Sequence, residues 1–316
     1  MTLFLPEGLP CLPQLRQEGL SVTEVAAPDS APATALRIGI LNLMPDKIAT
    51  EVQLIRMLAH ETHDVAVVLF ATSAYMDRVR QPDYMSANTP VDHLRRFYRS
   101  FEEVRDFDFD GLIITGAPVE QVPFEEVPYW SEMELILDWI GQRHLGVFSI
   151  CWGAQAALKH YYGMPKHVLS SKRFGVFSHA VLDEGSVLHG VSRPFAVPVS
   201  RHSETRREDL PPDTGLVVLA ESAEAGICLL EDPAKGCVYM LNHFEYDADT
   251  LKREYDRDKN TGAPIDLPLN YYPNDDDTAQ PVAHWQKDGQ AFYGNWLDNI
   301  ARRRASVVSD GSGIVP

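Results

Sequence analysis

LGVFSICWGAQAAL, residues 145–158, starts as a continuous apolar run and finishes with helical spacing, and Cys151 stands where the period changes. A strand that stops abruptly, a reactive side chain on the turn and small neighbours are the parts of a nucleophile elbow. Ser149 and Gly153 flank Cys151 at two residues on either side, giving S-x-C-x-G. Gly153 and Ala154 open the helix, whose dipole and free N–H groups favour a thiolate. The amide of Trp152, next after the cysteine, is a natural oxyanion donor. By itself the stretch fits equally well a cysteine buried at a strand-to-helix junction, so a base has to be found elsewhere.

Working outward, the runs LRIGILNL (36–43), DVAVVLF (64–70), DGLIITG (110–116) and HLGVFSI (144–150) are short, apolar and bounded by turns. Between them EVQLIRMLAHE (51–61) sets Val52, Ile55 and Leu58 on one stripe, and WSEMELILDWI (130–140) repeats the pattern with Met133, Ile136, Leu137 and Ile140. Continuous apolar strands alternating with amphipathic helices predict an α/β fold with a mostly parallel central sheet covered by helices on both faces. Further strands are expected at 195–200, 214–220, 226–230 and 236–241. Residues 1–34, rich in Pro and Ala, read as a leader that packs on the core or stays partly loose. Residues 35–303 read as a single domain and 304–316 as a disordered tail. Residues 71–109, with the helical DHLRRFYRSFEEV, read as an insertion near the C-terminal ends of strands, and 260–281 as an irregular excursion. A final helix spaces Trp285, Phe292, Trp296 and Ile300 for core packing.

With 45 acidic against 28 basic residues in 316, the formal charge is −17. Nucleic acid and anionic membranes require basic surfaces, so neither is expected as a partner. No apolar run approaches the length of a membrane span, and the proline-interrupted N-terminus lacks a basic n-region. A cytoplasmic location is expected. Cys11, Cys151, Cys228 and Cys237 show no C-x-x-C spacing, so no metal site is expected and the thiols are taken as reduced.

The base comes from GCVYMLNHFEYD (236–247), which closes a strand with His243 and places Glu245 two residues on. In extended backbone the two side chains share a side. Glu245 would accept the imidazole Nδ1–H, leaving Nε2 to take the proton of Cys151. A Cys151–His243–Glu245 triad is the expectation.

An elbow cysteine followed by H-x-E resembles the class I glutamine amidotransferase-like architecture. LNLMPDKIATEVQLIRML (41–58), FDGLIITGAPVEQVPFEEVPYW (109–130), SICWGAQAAL, PVSRHSE (198–204) and NHFEYD narrow the resemblance to homoserine O-acyltransferases of the homoserine O-succinyltransferase family. The resemblance implies ping-pong transfer of an acyl group from acyl-CoA to the hydroxyl of L-homoserine through an acyl-cysteine, in methionine biosynthesis. It implies no cofactor beyond the acyl-CoA substrate, no metal, and a homodimer. Lys47 matches the family's active-site lysine, giving oxyanion support beside Trp152. Ser200 and Arg201 match its homoserine-binding segment, and Arg257 the arginine that pairs with the homoserine carboxylate. Asp46 is assigned no role. Two departures stand out: H-F-E replaces the frequent H-P-E, and P-V-S-R replaces P-H-S-R, the latter altering a detail of the homoserine pocket.

The family uses acetyl or succinyl donors, and Glu120 in TGAPVEQV (115–122) matches the position that lines its acyl pocket. Glycine there accompanies succinyl use and glutamate acetyl use, because a glutamate adds bulk and like charge against a succinyl carboxylate. Acetyl-CoA is therefore the expected donor, with succinyl-CoA as the alternative. A glutaminase sharing the elbow and H-x-E, or a regulatory protein that lost catalysis, are the readings from other classes.

Overall fold

In the computed structural model, residues 1–309 are described, with side chains to residue 306. The described residues form one twelve-stranded sheet. Its strands are β1 (Leu3–Pro6), β2 (Val22–Val25), β3 (Leu36–Leu41), β4 (Val65–Ala71), β5 (Arg99–Ser100) and β6 (Gly111–Ile114). They continue as β7 (Gly146–Ile150), β8 (His167–Val181), β9 (Phe195–Glu204), β10 (Val217–Ser222), β11 (Gly226–Asp232) and β12 (Cys237–Met240). The helices are α1 (Leu12–Gln17), α2 (Lys47–Leu58), α3 (Ser73–Val79), α4 (Val91–Phe97), α5 (Phe101–Val104), α6 (Trp130–Arg143), α7 (Trp152–Tyr162), α8 (Thr250–Asn260) and α9 (Gln286–Ser309). The spatial order is β2-β1-β4-β3-β6-β7-β12-β11-β10-β8-β9, with β5 on β4.

Strands β1 to β7 and the β7–β12 pair are parallel, whereas β12, β11, β10, β8 and β9 form an antiparallel wing. The apolar strands feed two cores by alternation. Ile113, Phe148, Ile150 and Met240 join α2 and α9 residues such as Ile55, Leu58, Phe292 and Trp296 on one face. Leu112, Ile114, Val147 and Tyr239 join Met133, Ile136, Trp152 and Leu158 of α6 and α7 on the other. Both faces are covered, so no polar alternation is visible in these strands.

Three segments differ from the sequence reading. Residues 1–34 pack on the core, one of the two expected alternatives, but as part of the sheet itself: β1 pairs in parallel with β4 and seats Leu3 and Leu5 in the core. Its four residues, the last of them Pro6, are too short a run to register as periodic. Residues 304–309, expected in a disordered tail, continue α9, and Arg304 Nη1 donates to Ala35 O at 3.0 Å. The rest of that tail, 310–316, lies outside the described residues. The fifteen-residue β8 carries Ser170, Ser171, Lys172 and Arg173 in its middle; β9 pairs with it at His167 and Val168 and again from Arg173 to His179, with a register shift across the polar stretch between. Gly175, at φ 145°, lets the 260–281 excursion close on β8. A Cβ there would stand 2.3 Å from Leu269 O, and Val176 N donates to that same oxygen at 2.8 Å.

The consequence for function is positional. The neighbouring strands β3, β6, β7 and β12 end on one edge of the sheet, delivering in turn the segments after Leu41, Ile114, Ile150 and Met240. Open α/β sheets bind ligands at that carboxyl edge.

Candidate functional site

Cys151 occupies the joint between β7 and α7 with φ 51° and ψ −118°. A cysteine at positive φ costs on the order of 1–3 kcal/mol, and surrounding packing must hold it there. Its N–H donates to Met240 O at 2.7 Å, and its carbonyl accepts from Gln155 N at 3.1 Å. Two glycines allow the close passage. A Cβ on Gly153 would fall 2.5 Å from Thr115 O, and one on Gly116 would fall 3.2 Å from Cys151 Cβ. The end of β6 therefore runs directly past the elbow, and α7 starts with its N-terminus beside the thiol.

His243 meets this elbow from the segment after β12. Its Nδ1 and Glu245 Oε1 are 2.6 Å apart, and both side chains are buried. The backbone there is not extended as the i, i+2 argument assumed: Phe244 and Glu245 form a turn. The turn is anchored because Phe244, fully buried, packs on Phe195 and Phe292 with centroids 5.4 and 5.3 Å away. His243 N also donates to Pro198 O at 3.0 Å, and Tyr246 stacks on the imidazole at 4.1 Å.

The electrostatics fit a proton-transfer pair. Burial works against charge on the His243 imidazole, but the Glu245 carboxylate beside it and a hydrogen bond with Cys151 carry its pKa well above 6.5. Burial and then the Glu120 carboxylate push the Cys151 thiol up, while His243 and Arg201 pull it down. No imidazole acts on the other cysteines: burial pushes Cys11 and Cys228 up to about 12 and Cys237 to about 11, although Asn242 and Arg201 pull Cys228 down and Tyr239 does so for Cys237. An imidazole made more basic beside a thiol lets the proton leave sulfur when a substrate arrives.

A cavity of about 340 Å³ opens over this pair, lined among others by Cys151, His243, Glu120, Ser200, Lys172 and Arg257. A second of about 310 Å³ shares His243, Tyr246, Glu254 and Arg257 with it. Glu254 was not singled out in the sequence. Its Oε2 accepts from Ser200 Oγ at 2.5 Å and from Lys172 Nζ at 2.9 Å, and its Oε1 accepts from Tyr246 OH at 3.0 Å. Burial raises the Glu254 carboxyl, but Lys172 and Ser200 outweigh it and hold the group below the usual carboxylate range. Lys172 was missed because it lies in a polar stretch of β8, and Glu254 because a glutamate on the highly charged α8 reads as a solvated face. Nothing local marks either one.

The remaining expected residues are distributed as follows. Glu120 borders the Cys151 cavity, and its Oε2 accepts from His202 N at 2.7 Å. Arg257 borders both cavities, with its Nε on Asp258 Oδ1 at 2.6 Å. Trp152 is fully buried against Tyr129 and Phe124, and its backbone opens α7 at the elbow. Arg201 does not open on either cavity. Its guanidinium is spent on Asn242 Oδ1 at 2.7 Å and the carbonyls of Leu241 and Ala225, bracing the residues just before His243. Lys47 also lines neither of these two cavities. Its Nζ donates to Asn42 O at 2.6 Å and Met44 O at 3.1 Å and borders a neighbouring cavity. Among the described residues no cluster of three or more His, Cys, Asp or Glu is arranged to hold a metal.

The family model for homoserine O-succinyltransferase matches residues 2–306. The chain belongs to the homoserine O-succinyltransferase family. Among curated relatives of this family, a homoserine O-acetyltransferase of Synechococcus sp. is 45% identical over 94% of this chain and 97% of its own length. Another, from Rhizorhabdus wittichii, is 45% identical over 100% of this chain and 96% of its own. A third, from Cereibacter sphaeroides, is 42% identical over 95% and 96%. Among solved structures, a glutamine amidotransferase of Thermotoga maritima superposes with a TM-score of 0.55 at 12% identity, covering 86% of this chain and 98% of that one. One from Methylobacillus flagellatus gives 0.52 at 14% over 85% and 96%. At such identities the likeness concerns the fold: this family member has the glutamine amidotransferase-like α/β architecture.

Proposed function

We propose that this chain is a homoserine O-acetyltransferase, moving the acetyl group of acetyl-CoA to the hydroxyl of L-homoserine through a thioester on Cys151. The observation that carries the chemistry is the elbow thiol with a glutamate-backed imidazole beside it, in a cavity that also presents Glu120, Lys172, Glu254 and Arg257. Relatives named for the acetyl transfer, matched over nearly the whole chain, support the substrate class.

In the first half-reaction Cys151 Sγ attacks the thioester carbonyl while its proton passes to His243 Nε2. The oxyanion forms where α7 begins, facing the Trp152 N–H. Collapse breaks the C–S bond to CoA, and His243 returns the proton to the departing thiolate. In the second half the homoserine hydroxyl gives its proton to His243 as its oxygen attacks the acyl-cysteine. Collapse then regenerates Cys151 as leaving group, and His243 reprotonates it. Glu245 keeps the ring oriented throughout. The Nη atoms of Arg257, whose Nε is held by Asp258, suit the homoserine carboxylate, and Glu254 offers the opposite charge for its ammonium.

Lys47 and Arg201 enter this reading at one remove, Lys47 by fixing the Asn42–Met44 loop and Arg201 by fixing the approach to His243. No metal or further cofactor takes part. Among the described residues no helix is long and apolar enough to cross a membrane; a cytoplasmic homodimer completes the proposal, with light scattering as the check on its size. Mass spectrometry of the intact protein after brief exposure to acetyl-CoA tests the central step. One acetyl on Cys151, removed by homoserine with release of O-acetylhomoserine, is expected. An unmodified Cys151, or ammonia release from glutamine without acyl transfer, would overturn the proposal.

A further inference from the structure

Acyl-CoA is far larger than the roughly 340 Å³ cavity that holds Cys151. Its nucleotide has to lie on protein or solvent beyond that space, and two further cavities adjoin the site. One of about 880 Å³ is bordered by Glu18, Asp46, Asp247 and Asp249. Its arginines are already committed: Arg56 to Glu18 at 2.7 Å and to Asp247, and Arg253 to Asp249 at 3.4 Å. Phosphates would be repelled there. The other, of about 320 Å³, contains no Asp or Glu in its lining, although the chain carries 45 acidic residues. It holds instead Lys47, Arg78, Tyr75, Tyr84 and Tyr129. It shares Met44, Pro118 and Val119 with the Cys151 cavity, so the two are separated by a common wall. Tyr129 also packs edge-on against Trp152, the residue after the thiol, at 5.9 Å.

Within this cavity the groups are arranged for a flat, anionic ligand. Tyr75 and Tyr84 meet edge to face at 6.3 Å, presenting ring surface on a half-buried wall. Arg78 stands 6.0 Å over Tyr75, exposed, and has no carboxylate partner among the described residues. An unpaired guanidinium beside aromatic faces suits a phosphate attached to a base: the fork takes phosphate oxygens and the rings stack on the base. Lys47, tied to two carbonyls, adds positive potential without being free to move.

We propose that this tyrosine-lined cavity seats the nucleotide end of the acyl-CoA, with Arg78 on a phosphate and the Tyr84 ring against the adenine. The acyl arm then crosses the wall of Met44, Pro118 and Val119 to bring its thioester to Cys151. The inference rests on the acyl-CoA reading above and deepens it. It also separates the two substrates in space, leaving the Glu254–Arg257 side for homoserine.

The test compares donors with and without the nucleotide, using the full-length protein. For Arg78→Glu, the KM for acetyl-CoA should rise about tenfold or more, with the rise shrinking at high salt. For S-acetyl-pantetheine, which lacks adenine and the nucleotide phosphates, the KM should change no more than about twofold, as should the KM for homoserine. Tyr84→Ala should weaken acetyl-CoA in the same selective way, and Tyr84→Phe should restore it. Equal losses with both donors, or no loss with acetyl-CoA, would overturn the seat. If the wild-type protein never acylates Cys151 from acetyl-CoA, the parent reading fails and this one with it. A wild type that acylates normally beside an indifferent Arg78→Glu sinks the nucleotide seat alone.

Discussion

Replacing Glu120 by glycine should convert an acetyl-selective site into one that accepts succinyl-CoA. Glu120 and Cys151 border the same cavity, and the Glu120 carboxylate is fixed by the His202 N–H at 2.7 Å. A succinyl chain on Cys151 would carry its own carboxylate into that space. Two like charges about 5 Å apart at an effective dielectric of about 20 repel by about 3 kcal/mol, roughly two orders of magnitude in kcat/KM. Steric bulk adds to this whether or not Glu120 is ionised. Burial raises the Glu120 carboxyl, so the Coulombic part of the discrimination should weaken as pH falls toward its pKa and the charge is lost. The substitution leaves His202 N without its acceptor, a cost of about 1 kcal/mol in stability that the fold should tolerate. Competition between acetyl-CoA and succinyl-CoA, with both O-acylhomoserines quantified by mass spectrometry, reads the ratio directly. The reasoning is refuted if the wild type uses both donors equally, or if Glu120→Gly remains as selective as the parent.

Glu245→Gln should lower kcat by about 10²- to 10⁴-fold with little change in KM. Because Glu245 raises the imidazole pKa, its removal should move the acid limb of the pH–rate profile to lower pH; an unmoved limb would argue against the pairing. Gly153→Ala should destabilise the protein by about 1–3 kcal/mol, since the new Cβ would stand 2.5 Å from Thr115 O, and an unchanged melting temperature would contradict this packing. Lys47 gives a pH signature of its own. Burial lowers its pKa from 10.5 to about 8, partly offset by Glu51. Between those values the unfolded chain binds the proton that the folded chain does not, so stability gains by up to about 1.4 kcal/mol per pH unit as pH rises. The buried Cys11, Cys228 and Cys237 thiols act in the opposite sense above about pH 9, so the Lys47 slope is read as the difference between wild type and Lys47→Met in denaturation from pH 8 to 10.5; a pH-independent difference would refute it.

The elbow and the parallel half of the sheet were legible because their information is local. A change of period at Cys151, apolar runs with turn punctuation, and H-x-E after a strand are all patterns within a dozen residues. The pairing of His243 with Glu245 was readable even though the reason differed, since a turn anchored by Phe244 replaces the extended backbone. Ser200, Glu120 and Arg257 reach the cavities from separate parts of the chain, and their motifs alone pointed to them.

What lay beyond the sequence is what depends on partners far away in the chain. Strand β8 is polar in its middle and is held by β9, β1 becomes a strand by lying along β4, and 304–309 are helical as a continuation of α9. Lys172 and Glu254 are 82 residues apart and look like ordinary surface charges until folding buries them against each other. Arg201 and Lys47 could be named from their motifs, but only the fold decides that their hydrogen bonds are consumed by nearby backbone and by Asn242. Periodicity and turn chemistry act through neighbours in sequence, so the amino-acid order alone determined the elbow and the layered α/β plan. Burial and charge pairing act through neighbours in space, so tertiary structure alone decided which charged groups face the cysteine.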